Sequence, residues 1–245
     1  MSSDKKEALY EHIRALRRVL IVSVAAVGVL FVLFFYLLCN QLVDFILAPV
    51  RSRGIDIIAT AVSEALMIQL KVCLVAAIVA GMPVIIQQIW SFISPALYPH
   101  EKRLFAGLFF VALALFITGV AFCYLYVFPL AINLFWAASD TVAPAMWSVR
   151  EYFNFVLSFV LPFGLMFELP VVIYMLARRG KVNYPKLAKA RKYVLFAIAI
   201  VAAVLTPPDV VSQCMLGLPM YLLYEIAAQL ARFVKPVSVD AQEEA

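Results

Sequence analysis

The chain has 245 residues, of which 65% are hydrophobic and 14% charged, and its mean hydropathy is +0.98. A water-soluble fold of this length needs far more charge on its surface, so a cytosolic enzyme and a nucleic-acid-binding module are both excluded, and an all-α integral membrane protein is the expected class. The formal net charge of +5 then concerns orientation in the bilayer and not nucleic acid.

Ahead of the first apolar run, Leu9, Ile13, Leu16 and Leu20 recur at helical spacing while Arg14, Arg17 and Arg18 take other faces. This predicts a cytoplasmic amphipathic helix over residues 1–18. Glu7, Glu11 and Ala15 lie four apart and share a face, for which a solvated surface is the plainer reading. Residues 19–38 make the first span, too long for the apolar core of a cleavable export signal and so expected to be retained. Residues 39–70 form an outer cap in which Pro49 interrupts the apolar group Phe45, Ile46, Leu47 and Val50, and Ser63 and Glu64 suit the start of the next helix. The second span is placed at 73–90 with Pro83 as a kink, the third at 104–128 with Pro129 beginning its exit, and the fourth at 152–177, broken only by Glu168. Spans five and six, 193–206 and 210–230, are separated by Pro207, Pro208 and Asp209, a tight hairpin. The fifth reaches only ~21 Å as a helix against a hydrocarbon core of ~30 Å, so local thinning of the bilayer and shelter by neighbouring helices are expected.

Six spans put both termini on one side. Of the 20 Lys and Arg residues, 16 fall in the N-terminal segment, around Glu101, in the stretch 178–192 and in the tail, which makes those regions cytoplasmic. Residues 19–230 are thus read as one six-helix membrane domain, N-in and C-in, followed by a cytoplasmic tail at 231–245. Cys39, Cys73, Cys123 and Cys214 are far apart and form no C-x-x-C pair, so they are read as packing residues. No cofactor or metal is expected, and no nucleophile, base and orienting group converge at one depth as an enzyme would need.

Three places attract functional attention. Glu168 stands deep in a span, where a carboxylate costs roughly 2.5–3.5 kcal/mol, so it should face protein or water and carry function. Pro162, Gly164 and Pro170 predict an irregular helix around it. The plainer alternative is a carboxyl held by another helix for packing alone. At the hairpin corner Asp209 is suited to cap the last helix, while Thr206 and Gln213 place hydrogen-bonding groups where an incoming helix could use them. Glu225, near the inner end of span six, can simply reach the interface. Glu101 lies close to the membrane beside Lys102 and Arg103, where a solvated ion pair is the usual outcome.

In order and spacing these residues resemble the TatC family, the multispanning receptor subunits of the twin-arginine protein translocase. The likeness runs from about Glu11 to Arg232. It rests on Glu11-His12-Ile13-Arg14-Ala15-Leu16-Arg17, Ala48-Pro49, the run from Trp90-Ser91-Phe92 to Glu101-Lys102-Arg103, Phe163-Gly164-Leu165-Met166-Phe167-Glu168-Leu169-Pro170, Thr206-Pro207-Pro208-Asp209 with Ser212-Gln213, and Leu223-Tyr224-Glu225. The resemblance implies a receptor in the bacterial cytoplasmic (inner) membrane that exports folded proteins using the proton gradient. It implies single-span TatA and TatB-type partners, twin-arginine signal peptides as ligands, and self-association. It also implies signal-peptide binding at Glu101, Arg17, Glu11 and Phe92, an intramembrane polar site at Glu168 facing a concave hydrated groove, partner-helix docking at Thr206 and Gln213, and structural roles for Pro49 and Asp209. One position departs from the family's H-L-x-E-L-R pattern: Ala15 stands where it has Glu, so Glu11, one turn earlier, substitutes or the receptor is altered. A competing reading is a proton-coupled carrier of small solutes with Glu168 as relay, against which stands the lack of an internal repeat relating three spans to three others.

Overall fold

The computed structural model describes residues 3–93, 102–140, 146–206 and 209–234, and the described chain is dominated by helices. Five of them are long and apolar enough to cross a membrane, at Ile13–Leu37, Glu64–Ser91, Gly107–Ala137, Val149–Arg178 and Val210–Leu230. The chain is a multi-pass membrane protein. It divides into two compact units, one of residues 1–113 with 148–153, the other of 114–147 with 154–245.

In the first unit, α1 (Ser3–Leu37) runs without interruption from the amphipathic segment into the first span. None of its apolar window is buried inside the protein, which leaves that surface for lipid. A turn at Leu38 leads into α2 (Cys39–Arg51), and α3 (Glu64–Ile93) packs against both. The close approach of α1 and α3 is set at Gly81, where a Cβ would come 3.2 Å from Val27 and 3.5 Å from Leu30. Glu64 fixes the start of α3 by turning back: its carboxylate accepts from the Thr60 N–H at 2.8 Å and the Thr60 hydroxyl at 2.7 Å. Pro49 sits in the last turns of α2, and its carbonyl accepts from the Ser52 hydroxyl at 3.0 Å and the Arg53 guanidinium at 2.5 Å. Gly54, at φ +68°, follows in the left-handed conformation that ends the helix. Tyr152 donates to the Ile46 carbonyl at 2.7 Å and so anchors this cap. The short strands β1 (Asp56–Ile58) and β2 (Met146–Ser148) belong to the two connecting loops.

α4 (Lys102–Phe122), which enters the second unit at Ala114, continues through a π-turn, Cys123–Val127, into α5 (Phe128–Asp140). Pro129 was expected to begin the exit of the third span, and instead the helix runs on. The physical reason is the extra residue of the π-turn, which lets the Phe128 N–H reach back to Cys123 and realigns the ladder so that the donor Pro129 lacks is not needed. α6 (Val149–Met166) and α7 (Leu169–Arg178) are one crossing broken at Phe167 and Glu168. Gly180, at φ +69°, closes α7, and Asn183 caps α8 (Tyr184–Leu205) by accepting from the Lys186 N–H at 3.1 Å. α8 is not among the five apolar crossings because Lys186, Lys189, Arg191 and Lys192 occupy its first turns. Its apolar part is the short stretch expected. α9 (Val210–Leu230) matches the expected sixth segment and packs on α7 and α8 through Ala227 and Ala228, both fully buried, together with Ile173, Ala177 and Leu187.

Candidate functional site

Glu168 is placed by a glycine-lined crossing of α4 and α6. A Cβ on Gly164 would fall 2.5 Å from the Phe116 ring, and one on Gly119 would fall 2.8 Å from both the Phe163 carbonyl and the Phe167 ring. Each helix thus admits an aromatic ring of the other against its bare backbone. Phe122 then meets Phe163 at 6.0 Å and Phe167 at 5.8 Å between ring centroids, and the stack continues through Phe159 and Phe155. This wall packs the end of α6 up to the break.

At the break the ladder shifts. The Phe167 N–H reaches Phe163 at 3.2 Å, the Glu168 N–H reaches only three residues back to Leu165 at 3.1 Å, and Pro170 has no N–H to offer Met166. Glu168 is half-buried, and its Oε1 is fully shielded without a hydrogen-bond partner among the described residues. A carboxyl that were merely a packing element would be expected to find a donor. It does not.

At the hairpin corner Thr206, Asp209 and Gln213 bond within the hairpin, whereas the Oγ of the fully buried Ser212 has no hydrogen-bond partner among the described residues. The Thr206 hydroxyl donates to the Ala202 carbonyl at 2.9 Å and the residue is buried. Asp209 accepts from the Ser212 N–H at 2.6 Å, the cap expected of it, and the Gln213 amide donates to the Ala199 carbonyl at 3.0 Å, tying α9 to α8. The surface beside it is apolar and exposed: Val204, Val210, Val211 and Leu218. Pro207 and Pro208 lie outside the described residues.

At the other end of the hairpin the structure supplies a cluster that sequence reasoning left at the interface. Arg191 donates through Nε to Glu225 Oε2 at 2.9 Å and through Nη2 to Oε1, a two-pronged pair that Gln229 joins at 3.0 Å. Arg191 also donates to the Tyr184 hydroxyl at 3.3 Å, which holds that phenol below its ordinary pKa, and Arg232 stacks on the Tyr184 ring at 3.7 Å. The Tyr224 hydroxyl donates to the Leu187 carbonyl at 2.8 Å beneath them. The signal available beforehand was the absence of any acidic residue between Glu168 and Asp209, which leaves Glu225 as the counter-ion a basic stretch needs.

Of the residues assigned to peptide binding, Arg17 lies exposed on α1 and, with Tyr10, Ile13 and Arg14, lines an open cleft of about 390 Å³. Ala15 is exposed on the same helix, which also carries Glu11, and Phe92 lies in the last turn of α3. Glu101 lies outside the described residues.

Broken helix, shielded carboxyl oxygen and glycine-lined crossing together describe a polytopic helical membrane protein that carries an ionisable residue within one of its apolar helices. A model of the family described as Sec-independent protein translocase protein (TatC) matches residues 11–219. The chain belongs to the TatC family. It is 37% identical over 234 residues to the Sec-independent protein translocase protein TatC of Carboxydothermus hydrogenoformans, covering 95% of this chain and 96% of that one. It is 36% identical over 236 residues to that of Escherichia coli K12, covering 95% and 91%. Its fold is similar to a crystal structure of the twin-arginine translocase receptor TatC, with a TM-score of 0.85 at 35% identity over 91% of this chain and 98% of the other.

Proposed function

We propose that this chain is the receptor of a twin-arginine translocase, a transporter-type component, and that it reads signal peptides at the inner surface of the cytoplasmic membrane. Six helices cross, with both termini inside; the basic turns of α8 then lie at the inner interface, as Lys and Arg do in short cytoplasmic loops. The paired Arg residues of a signal peptide are planar, permanently charged forks that need carboxylates. Around the N-terminal cleft the exposed side chains Arg14 and Arg17 are themselves cationic, so discrimination falls to Glu11 and Glu101, with Phe92 as the apolar residue of the set. Ala15 stands where the family pattern has the other carboxylate of the clamp, and Glu11, one turn earlier, takes its place.

The observation that carries the reading is Glu168, a carboxyl within an apolar helix with one oxygen unpartnered among the described residues. A peptide hairpin inserting beside it would meet a polar group in an otherwise greasy wall, and the short apolar part of α8 would thin the barrier there. Partner helices of the TatA and TatB type would pack on the exposed valine-rich surface around Thr206 and Gln213, whose own hydrogen bonds stay inside the hairpin and keep that surface in shape. Folded cargo would cross at the expense of the proton gradient.

The test is transport of a folded reporter bearing a twin-arginine signal in cells lacking their own copy, combined with signal-peptide titration. Export is expected from the wild-type chain. Glu101→Ala should weaken peptide binding and Ala15→Glu should strengthen it, by roughly tenfold each if one charged pair is lost or gained. Unchanged affinity in both variants would remove the carboxylate clamp.

A further inference from the structure

Two cysteines that the sequence keeps apart are brought together. Cys39 opens α2 just past the turn at Leu38, and Cys73 lies two to three turns into α3. Their thiols are in hydrogen-bonding contact, both residues are buried, and neither sulfur is bonded covalently. The register of the helices puts both residues at the same level. Leu30 of α1 faces Gly81 of α3, and from that level the chain climbs to Cys39 on one side while the numbering falls to Cys73 on the other, steps of about 12–14 Å in each case.

We propose that Cys39 and Cys73 are a redox-active pair that closes to a disulfide, stapling the corner between α1 and α2 to α3. The inference rests on the orientation proposed above, in which this corner faces the outer, oxidising side of the membrane. The oxidant is a disulfide: an exchange protein of that compartment, or oxidised glutathione in the test tube. Cys39, which keeps 8% of its surface exposed where Cys73 has none, loses its proton to water and attacks one sulfur of the oxidant. The oxidant's S–S bond breaks and one thiolate leaves. Cys73, deprotonated in turn, attacks the Cys39 sulfur of the mixed disulfide and expels the second thiolate. Two protein thiols are oxidised and one oxidant disulfide is reduced to two thiols. Burial makes the exchange slow, and the cross-link, closing a loop that holds the whole of the outer cap, should raise the unfolding temperature.

The experiment uses the full chain in detergent with Cys214→Ser, since Cys214 is exposed and would take glutathione itself. After incubation with oxidised glutathione for hours, the protein is denatured, alkylated with a maleimide and digested for mass spectrometry. Expected are joined peptides containing Cys39 and Cys73, an alkylated Cys123, and a melting temperature higher by several degrees that dithiothreitol reverses. Cys73→Ser should retain one glutathione on Cys39, and Cys39→Ser should leave Cys73 free to be alkylated. Full alkylation of both thiols in the oxidised parent would overturn the proposal and leave the pair as packing. Because purified protein is oxidised from either side, a wrong orientation would show in labelling of intact cells and not in this result.

Discussion

Glu168 and Glu225 are both carboxylates in apolar helices, and their surroundings give them opposite assignments. Glu225 holds Arg191 with both oxygens and Gln229 with one, so its charge is matched and its role is to fasten α8 to α9. Both side chains keep about a third of their surface exposed, so the pair is partly screened and removing one partner is a modest loss: Arg191→Ala should lower the melting temperature in detergent slightly, and Glu225→Gln, which can still accept from Arg191, should lower it less. Equal melting temperatures for all three proteins would mean that the pair contributes nothing. Among the described residues Glu168 has no such match for Oε1. Taking its carboxyl away relieves a desolvation cost of about 2.5–3.5 kcal/mol, so Glu168→Leu should fold as well as the parent or better while losing export of a twin-arginine reporter. Wild-type export from that variant, or its failure to fold, would return Glu168 to a packing role. The two carboxylates could be ranked from sequence, since the prolines around Glu168 announced an irregular helix. Their partners could not, because Arg191 and Glu225 meet across a hairpin.

Among the elements, the crossing of α4 and α6 shows what periodicity cannot convey. Gly119 and Gly164 read in sequence as weak points of apolar helices, whereas each is the slot into which an aromatic ring of the other helix fits. Gly164→Ala would push a methyl to 2.5 Å from Phe116, so the ring or the backbone must move, at a cost of about 1–3 kcal/mol. Because Phe167 leans on Gly119 at the same crossing, the displacement should reach the break at Glu168 and reduce export along with the melting temperature. Phe116→Leu, with a more compliant side chain, should restore part of both in the Gly164→Ala background, which double-variant thermal unfolding and reporter export would check. No rescue would place the damage elsewhere. The break between α6 and α7 was legible because proline acts locally on the hydrogen-bond ladder. The passage of α4 into α5 was not, since a π-turn depends on how the ladder is realigned and leaves no residue signature comparable to proline.

For the molecule as a whole, apolar runs and the distribution of Lys and Arg carried most of the reading, because a bilayer imposes length and sign more strictly than water does. Four of the expected crossings coincide with long apolar helices of their own, and the first merges with its amphipathic leader in α1. The fifth is the decisive one. α8 has 22 residues, yet the four cations in its first turns leave an apolar stretch too short to qualify by composition. If it crosses, Lys181 and Val210 lie on opposite sides; if it lies along the interface, they share one. Lys181, Val210 and Val62 are all exposed, so single cysteines placed there on a background lacking the native four can be reached by a membrane-impermeant maleimide. Intact cells should label Val62→Cys and Val210→Cys, and Lys181→Cys should label only after the membrane is opened. Labelling of Lys181→Cys together with Val210→Cys from outside would remove α8 from the crossings. The inner cluster of Arg191, Glu225 and Tyr184 would then face the outer surface, and a receptor reading its peptides from the cytoplasm could not be built on this chain.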